Sequence, residues 1–187
     1  KVSCDTPAST LDINAKGTLH MLDAVRLNGL EGHCRFYQAS SSEMFGQAPA
    51  PQNEETKMEP CSPYGVAKLS AYHYARTYRE SYNMHVSNGI LFNHESPLRG
   101  EDFVTRKITK AVVKIEAGGT DPLVLGNLDS LRDWGDACDY IEGMWLMLQQ
   151  ERGDDYVLAT GEAHSVRAFV ERAFAQTGIV LKWVGHG

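Results

Sequence analysis

Apolar and polar positions alternate along the chain with two periods, one helical and one of the extended strand. Between residues 10 and 28, Leu11, Ile13, Leu19, Leu22, Val25 and Leu27 recur at helical spacing and Gly29 stops the run, so a helix packed on a sheet is expected. Cys34-Arg35-Phe36-Tyr37-Gln38-Ala39 reads as a strand that ends in Ser40-Ser41-Ser42-Glu43. Residues 48–55 are proline-rich and acidic, which suits a surface excursion. Ser62 is an N-cap and Pro63 fits the first helical position, so a helix is expected from 63 to about 81. Tyr64, Leu69, Tyr72, Ala75 and Tyr78 form its buried or interface stripe. Residues 86–92 read as a strand with Gly89 inside it, followed by a loop over 93–100 and an amphipathic helix over 103–117. Beyond these come a short strand at 122–125, a polar loop at 129–134 and a Met- and Trp-rich core helix at 136–150. A strand at 155–160 and a helix N-capped by Ser165 and ended by Gly178 complete the series. Strands alternating with helices predict an α/β fold with a mostly parallel sheet.

Composition narrows the class. A chain of 187 residues with 42% hydrophobic content can bury a core, and one domain with a small extension is the expectation. A net charge of -6 argues against a nucleic-acid partner, although a phosphate ligand needs only a local basic cluster. No run approaches the roughly 18 apolar residues of a membrane span. The charged start Lys1-Val2-Ser3-Cys4-Asp5 has no apolar core of a signal peptide. Cys4, Cys34, Cys61 and Cys138 are widely spaced without a CxxC, which points to reduced thiols in a cytoplasmic protein and no metal site.

The candidate chemistry centres on Ser62-Pro63-Tyr64-Gly65-Val66-Ala67-Lys68. Helical spacing puts Tyr64 and Lys68 on one face, where an ammonium favours the phenolate and eases proton transfer to or from a hydroxyl. The pair alone is more often an ordinary surface-helix tyrosine and lysine. A second group changes the balance: Ser41 and Glu43 follow a strand, where α/β sheets hold their ligands. Residues 93–100 form a charged, amide-bearing loop suited to binding, or an ordinary turn with a Glu95–Arg99 ion pair. Arg106, Lys107 and Lys110 on the next helix suit either a diphosphate or solvent. His73 and His85 read as surface or satisfied core histidines.

A strand-end hydroxyl followed by Tyr-x-x-x-Lys on the next helix resembles the short-chain dehydrogenase/reductase superfamily. Asn93-His94-Glu95-Ser96-Pro97, Val104-Thr105-Arg106-Lys107 and Ser130-Leu131-Arg132-Asp133-Trp134-Gly135 narrow the resemblance to the GDP-mannose 4,6-dehydratase family, along the whole chain. It implies a Rossmann-like fold and an NADP-dependent dehydration of GDP-mannose to GDP-4-dehydro-6-deoxy-D-mannose. Ser41, Glu43, Tyr64 and Lys68 match its catalytic positions. Tyr64, Lys68, His94 and Arg99 match cofactor contacts, and Asn93, Lys107 and Arg132 match contacts to the GDP-sugar. A homo-oligomer, dimer or tetramer, is implied as well. The family's glycine-rich βα turn has no counterpart in this sequence, so the chain reads as an internal part of one dehydratase domain, truncated at both ends and inactive alone. Ser41 stands where the family usually has threonine, Leu98 replaces the first of an arginine pair, and Ser9 replaces a tyrosine. Another nucleotide-sugar dehydratase, an epimerase or a non-catalytic interaction remnant remain alternatives. Glu43 argues against a 4-epimerase, which needs no carboxylate at C5, and Ser42-Glu43 differs from the Asp-Glu pair of dTDP-glucose dehydratases.

Overall fold

The computed structural model describes residues 2–185, so Lys1 of the charged start lies outside the described residues. The elements in order are α1 (Val2–Asp5), α2 (Pro7–Leu11), α3 (Gly17–Leu27), β1 (Arg35–Ser41), α4 (Pro63–Tyr82), β2 (His85–Leu91) and β3 (Asn93–Glu95). They continue with α5 (Val104–Glu116), β4 (Leu131–Asp136), α6 (Ala137–Met147), β5 (Asp155–Leu158), β6 (Ala163–Ser165) and α7 (Val166–Ala175). The chain divides into two compact units, one of residues up to Phe92 with Cys138–Leu158, the other of Asn93–Ala137 with residues from Ala159 on.

The first unit is an α/β layer structure. Its sheet has the order β1-β2-β5, all parallel, with Ala39 opposite Gly89 and Gly89 opposite Tyr156. Central in this sheet, β2 is buried from Val86 to Leu91, as expected for a parallel strand covered on both faces. Strand alternation divides the core. Leu22, Ala75, Tyr78, Met84 and Val86 pack together under α3 and α4, with Phe36 against them. Leu91, Tyr140 and Met147 pack with Tyr37, Tyr156 and Leu158 through α6. Gly89 is required by this packing: a Cβ there would lie 2.6 Å from the Tyr37 hydroxyl.

Helix α4 follows its sequence signals closely. The Ser62 hydroxyl accepts the Gly65 N–H at 3.0 Å, Pro63 occupies the first turn, and Asn83 ends the helix in the left-handed region at φ 52. Ala67, Ala71, Tyr72, Ala75 and Tyr78 form its buried stripe, while Tyr64 and Leu69 are half-buried. The expected N-terminal helix is present but begins earlier: α2 runs through a π turn, Asp12–Lys16, into α3. The acidic excursion is not idle, because Glu54 Oε1 accepts the Val157 N–H of β5 at 2.7 Å.

The second unit has its own small sheet, ordered β3-β4-β6, with β4 parallel to β3 and antiparallel to β6. Ile108, Val112, Val166, Val170 and Phe174 form its core between α5 and α7. The Ser165 cap is confirmed, its hydroxyl accepting the Ala168 N–H at 3.1 Å.

Several expectations are corrected in this part of the chain. Residues 129–134 are not a loop: β4 covers most of them, because β6 pairs with its first half and β3 with its second, which satisfies the backbone of a polar, partly exposed segment. Residues 93–95 likewise form β3. Residues 122–125 are irregular; Leu123 and Leu125 contribute side chains to the apolar cluster without joining a ladder. In α6 only Tyr140 and Met147 are buried, and Trp145 is 60% exposed, so this helix is not core throughout.

Candidate active site

Within the first unit, the carboxyl end of β1 and the start of α4 bring four sequence-predicted residues into one neighbourhood. Strand β1 ends at Ser41, whose extended backbone turns into a short 3₁₀ segment, Ser42–Met44. Met44 and Phe45 are fully buried beneath this turn, packed with Tyr72 and Ile90, and so anchor the exposed Glu43 between them and the strand. The Glu43 N–H donates to Ser41 Oγ at 3.2 Å. Accepting there leaves the Ser41 O–H bond as a donor. The Ser62 hydroxyl donates to Glu43 Oε2 at 2.9 Å while capping α4.

On the first turns of α4, Lys68 Nζ lies 5.5 Å from the centre of the Tyr64 ring, as the four-residue spacing predicts. Lys68 Nζ also donates to the Ala39 carbonyl of β1 at 2.9 Å. Burial lowers the Lys68 pKa from the ordinary lysine value, since an ammonium removed from water is disfavoured. Hydroxyl, carboxylate, phenol and ammonium together can take, hold and return protons on a polyhydroxylated ligand.

A polar network within the same unit stands behind α4. Asp155 accepts from Tyr72 Oη at 2.6 Å, Arg79 Nη2 at 3.0 Å and Asn88 Nδ2 at 2.9 Å. Ser40 Oγ in turn donates to Asn88 Oδ1 at 3.2 Å. Burial first, then the hydrogen bond to Asp155, pushes the Tyr72 phenol up to about 12.

The other candidates belong to the second unit. Asn93 and His94 lie on β3, opposite Trp134 and Gly135, and both are half-buried. Arg99 Nε lies 3.3 Å from Glu95 Oε2, and its guanidinium stacks 3.6 Å from the Phe103 ring centre. The ion pair weighed as the plainer reading of this loop is thus formed. Thr105 Oγ1 donates to the same Glu95 oxygen at 2.6 Å. Lys107 Nζ donates to the Val124 carbonyl at 2.6 Å, and Arg132 Nη1 to the Leu131 carbonyl at 2.7 Å. An apolar groove of about 470 Å³ beside α7, lined by Ile115, Leu125, Phe174 and Trp183 among others, contains none of the candidate residues. Among the described residues no group of three or more His, Cys, Asp or Glu could hold a metal ion, and no helix is long and apolar enough to cross a membrane.

Comparison with known proteins matches residues 1–187 to the family model described as GDP-mannose 4,6 dehydratase. The chain belongs to the GDP-mannose 4,6-dehydratase family. It is 58% identical over 188 residues to a GDP-mannose 4,6-dehydratase of Sinorhizobium fredii, covering all of this chain and 54% of that one. It is 53% identical to the human GDP-mannose 4,6 dehydratase over 99% of this chain and 50% of the human one. The chain thus spans about half the length of the curated relatives it matches. Among solved structures, RMD of Pseudomonas aeruginosa complexed with NADPH superposes with a TM-score of 0.87 at 25% identity, covering 96% of this chain and 63% of that one. A dTDP-glucose 4,6-dehydratase of Streptomyces venezuelae, at 24% identity and a TM-score of 0.82, covers 94% of this chain and 53% of that one and shares the fold.

Two features of the candidate site were not read from the sequence. Ser62 was legible as a helix cap, yet its bond to Glu43 joins positions 19 residues apart that only the sheet-to-helix return brings together. The Asp155 network was missed because Asn88 sits in an otherwise apolar strand and Tyr72 in an aromatic stripe, both of which resemble plain core.

Proposed function

We propose that the full-length protein dehydrates GDP-D-mannose to GDP-4-dehydro-6-deoxy-D-mannose, with NADP+ as a regenerated cofactor. The observation that carries this reading is that Glu43 binds both sides of the site, its N–H donating to the strand-end Ser41 hydroxyl and its carboxylate accepting from Ser62 at the start of α4, the helix that carries the Tyr64–Lys68 pair. Solved relatives hold NADPH or NAD, which supports a nicotinamide cofactor. The donor set fits one: an ammonium has three N–H bonds, and Lys68 directs one to Ala39, leaving donors for ribose hydroxyls. His94 and Arg99 are the further cofactor contacts in this reading, and Asn93, Lys107 and Arg132 hold the GDP-sugar. The cations serve its diphosphate after exchanging their present partners.

When bound, the cofactor supplies the oxidant for the sugar C4 and the reductant for C6. Tyr64 takes the proton of the 4-hydroxyl, while Ser41 donates a hydrogen bond to the same oxygen. A 4-ketone acidifies the C5 proton, because the carbanion delocalises onto oxygen. Glu43 removes that proton and delivers it to the departing 6-hydroxyl, which leaves as water. Tyr64 then returns its proton to C5, so the balance is the loss of one water. The protein acts in the cytoplasm as a homo-oligomer, dimer or tetramer, in this reading.

The test is the full-length protein incubated with NADP+ and GDP-mannose, with the 4-keto sugar followed directly. Glu43→Gln is expected to lower its formation by roughly 100- to 10,000-fold, the range of a lost general acid–base. Turnover of a UDP- or dTDP-sugar in place of GDP-mannose would overturn the substrate assignment.

A further inference from the structure

We propose that Ser62 is a positioning residue for the Glu43 carboxylate, and that the first turn of α4 is built as its seat. The proposal rests on the dehydratase reading above. Glu43 sits exposed on a one-turn 3₁₀ segment, where a long carboxylate would otherwise sample several rotamers in water. One hydroxyl restrains it: Ser62 donates to Glu43 Oε2 at 2.9 Å and accepts the Gly65 N–H at 3.0 Å. The accepted bond from the helix N-terminus orients the serine, so its donated bond points at the carboxylate and not at solvent.

The glycine after Tyr64 belongs to the same seat. A Cβ on Gly65 would lie 2.8 Å from the Glu43 carbonyl oxygen and 3.0 Å from the Pro60 Cβ. Only a residue without a side chain lets the helix start approach the Glu43 backbone this closely. Backbone and carboxylate of Glu43 are therefore both held by the turn that presents Tyr64. Ser62 uses its O–H on Oε2, which leaves Oε1 as the oxygen not engaged by it. This divides the labour in the elimination: the oxygen held by Ser62 sets the geometry, and the other takes the C5 proton.

Two substitutions separate positioning from capping. Ser62→Asp keeps a strong helix cap but cannot donate to a carboxylate, whereas Ser62→Thr keeps both functions. In the full-length protein with GDP-mannose, two events are followed: reduction of the bound nicotinamide, and exchange of the C5 proton with deuterated solvent. Ser62→Asp is expected to slow C5 exchange and product formation by on the order of 100-fold, the cost of a misplaced group. Nicotinamide reduction should change by no more than about two-fold, so reduced cofactor accumulates, and Ser62→Thr should restore exchange. Equal slowing of both events, or C5 exchange unaffected in Ser62→Asp, would overturn the positioning role. Wild-type protein that forms no 4-keto sugar would fail at the earlier step and remove the dehydratase reading together with this one.

Discussion

The two units handle polarity in opposite ways. In the first, polar groups enter the interior and bind one another: Asp155, 10% exposed, gathers Tyr72, Arg79 and Asn88, and Asn88 gathers Ser40. In the second, the interior between α5 and α7 is an apolar cluster, and the candidate cations stay at the periphery. Lys107 and Arg132 are exposed and held by backbone carbonyls, while Lys110 pairs with Glu101 at 2.6 Å. The difference is one of replaceability. A buried charge has no water to turn to when its partner is lost, so its geometry is enforced. An exposed one exchanges partners at little cost, because water competes for both ends of the contact. The proposed proton-transfer groups therefore stand on a scaffold held by enforced contacts, and the proposed diphosphate contacts on side chains that can let go.

This contrast breaks most directly at Asp155. Asp155→Ala leaves the Arg79 charge without its buried partner, and a loss of about 3 to 5 kcal/mol is expected in denaturant unfolding of the full-length protein. A change no larger than that of a surface substitution would erase the distinction between the units. Tyr72→Phe tests the same network more gently. Its phenol titrates at about 12, above the ordinary value of about 10, because the folded state favours the neutral form. The stabilisation is full below pH about 10 and is lost as pH rises through about 12. Wild-type protein should accordingly lose stability relative to Tyr72→Phe across that window, and parallel stability curves would contradict the assignment. The smallest effect belongs to the second unit: Lys107→Gln should alter stability by less than about 0.5 kcal/mol, yet weaken GDP-mannose binding in calorimetry. Unchanged affinity would remove Lys107 from the proposed substrate contacts.

Legibility in the sequence followed the locality of the forces. Helix α4 was readable from Ser62 and Pro63 to its aromatic stripe, because caps and periodicity act within a few residues. Strands β1, β2 and β5 announced themselves by apolar runs and by the small hydroxyls where β1 ends. By contrast, β4 was invisible: Leu131-Arg132-Asp133 has one exposed apolar residue before two charged ones, and becomes a strand because Ser165, His164 and Ala163 pair with it. Residues 122–125 erred the other way, since an apolar run without a partner strand has nothing to complete its backbone bonds.

The sequence by itself determined the alternation of helices and strands, the one-turn spacing of Tyr64 and Lys68, and the family to which those motifs belong. Caps, periodicity and motif spacing are properties of neighbouring residues, so they survive without a structure. Tertiary structure alone decided that Ser62 meets Glu43, that Lys68 meets the Ala39 carbonyl, and that Asp155 gathers α4 and β2 around itself. Those contacts join residues separated by 19 or more positions, and hydrogen bonds need alignment within a few tenths of an ångström that only the packed sheet and helix supply.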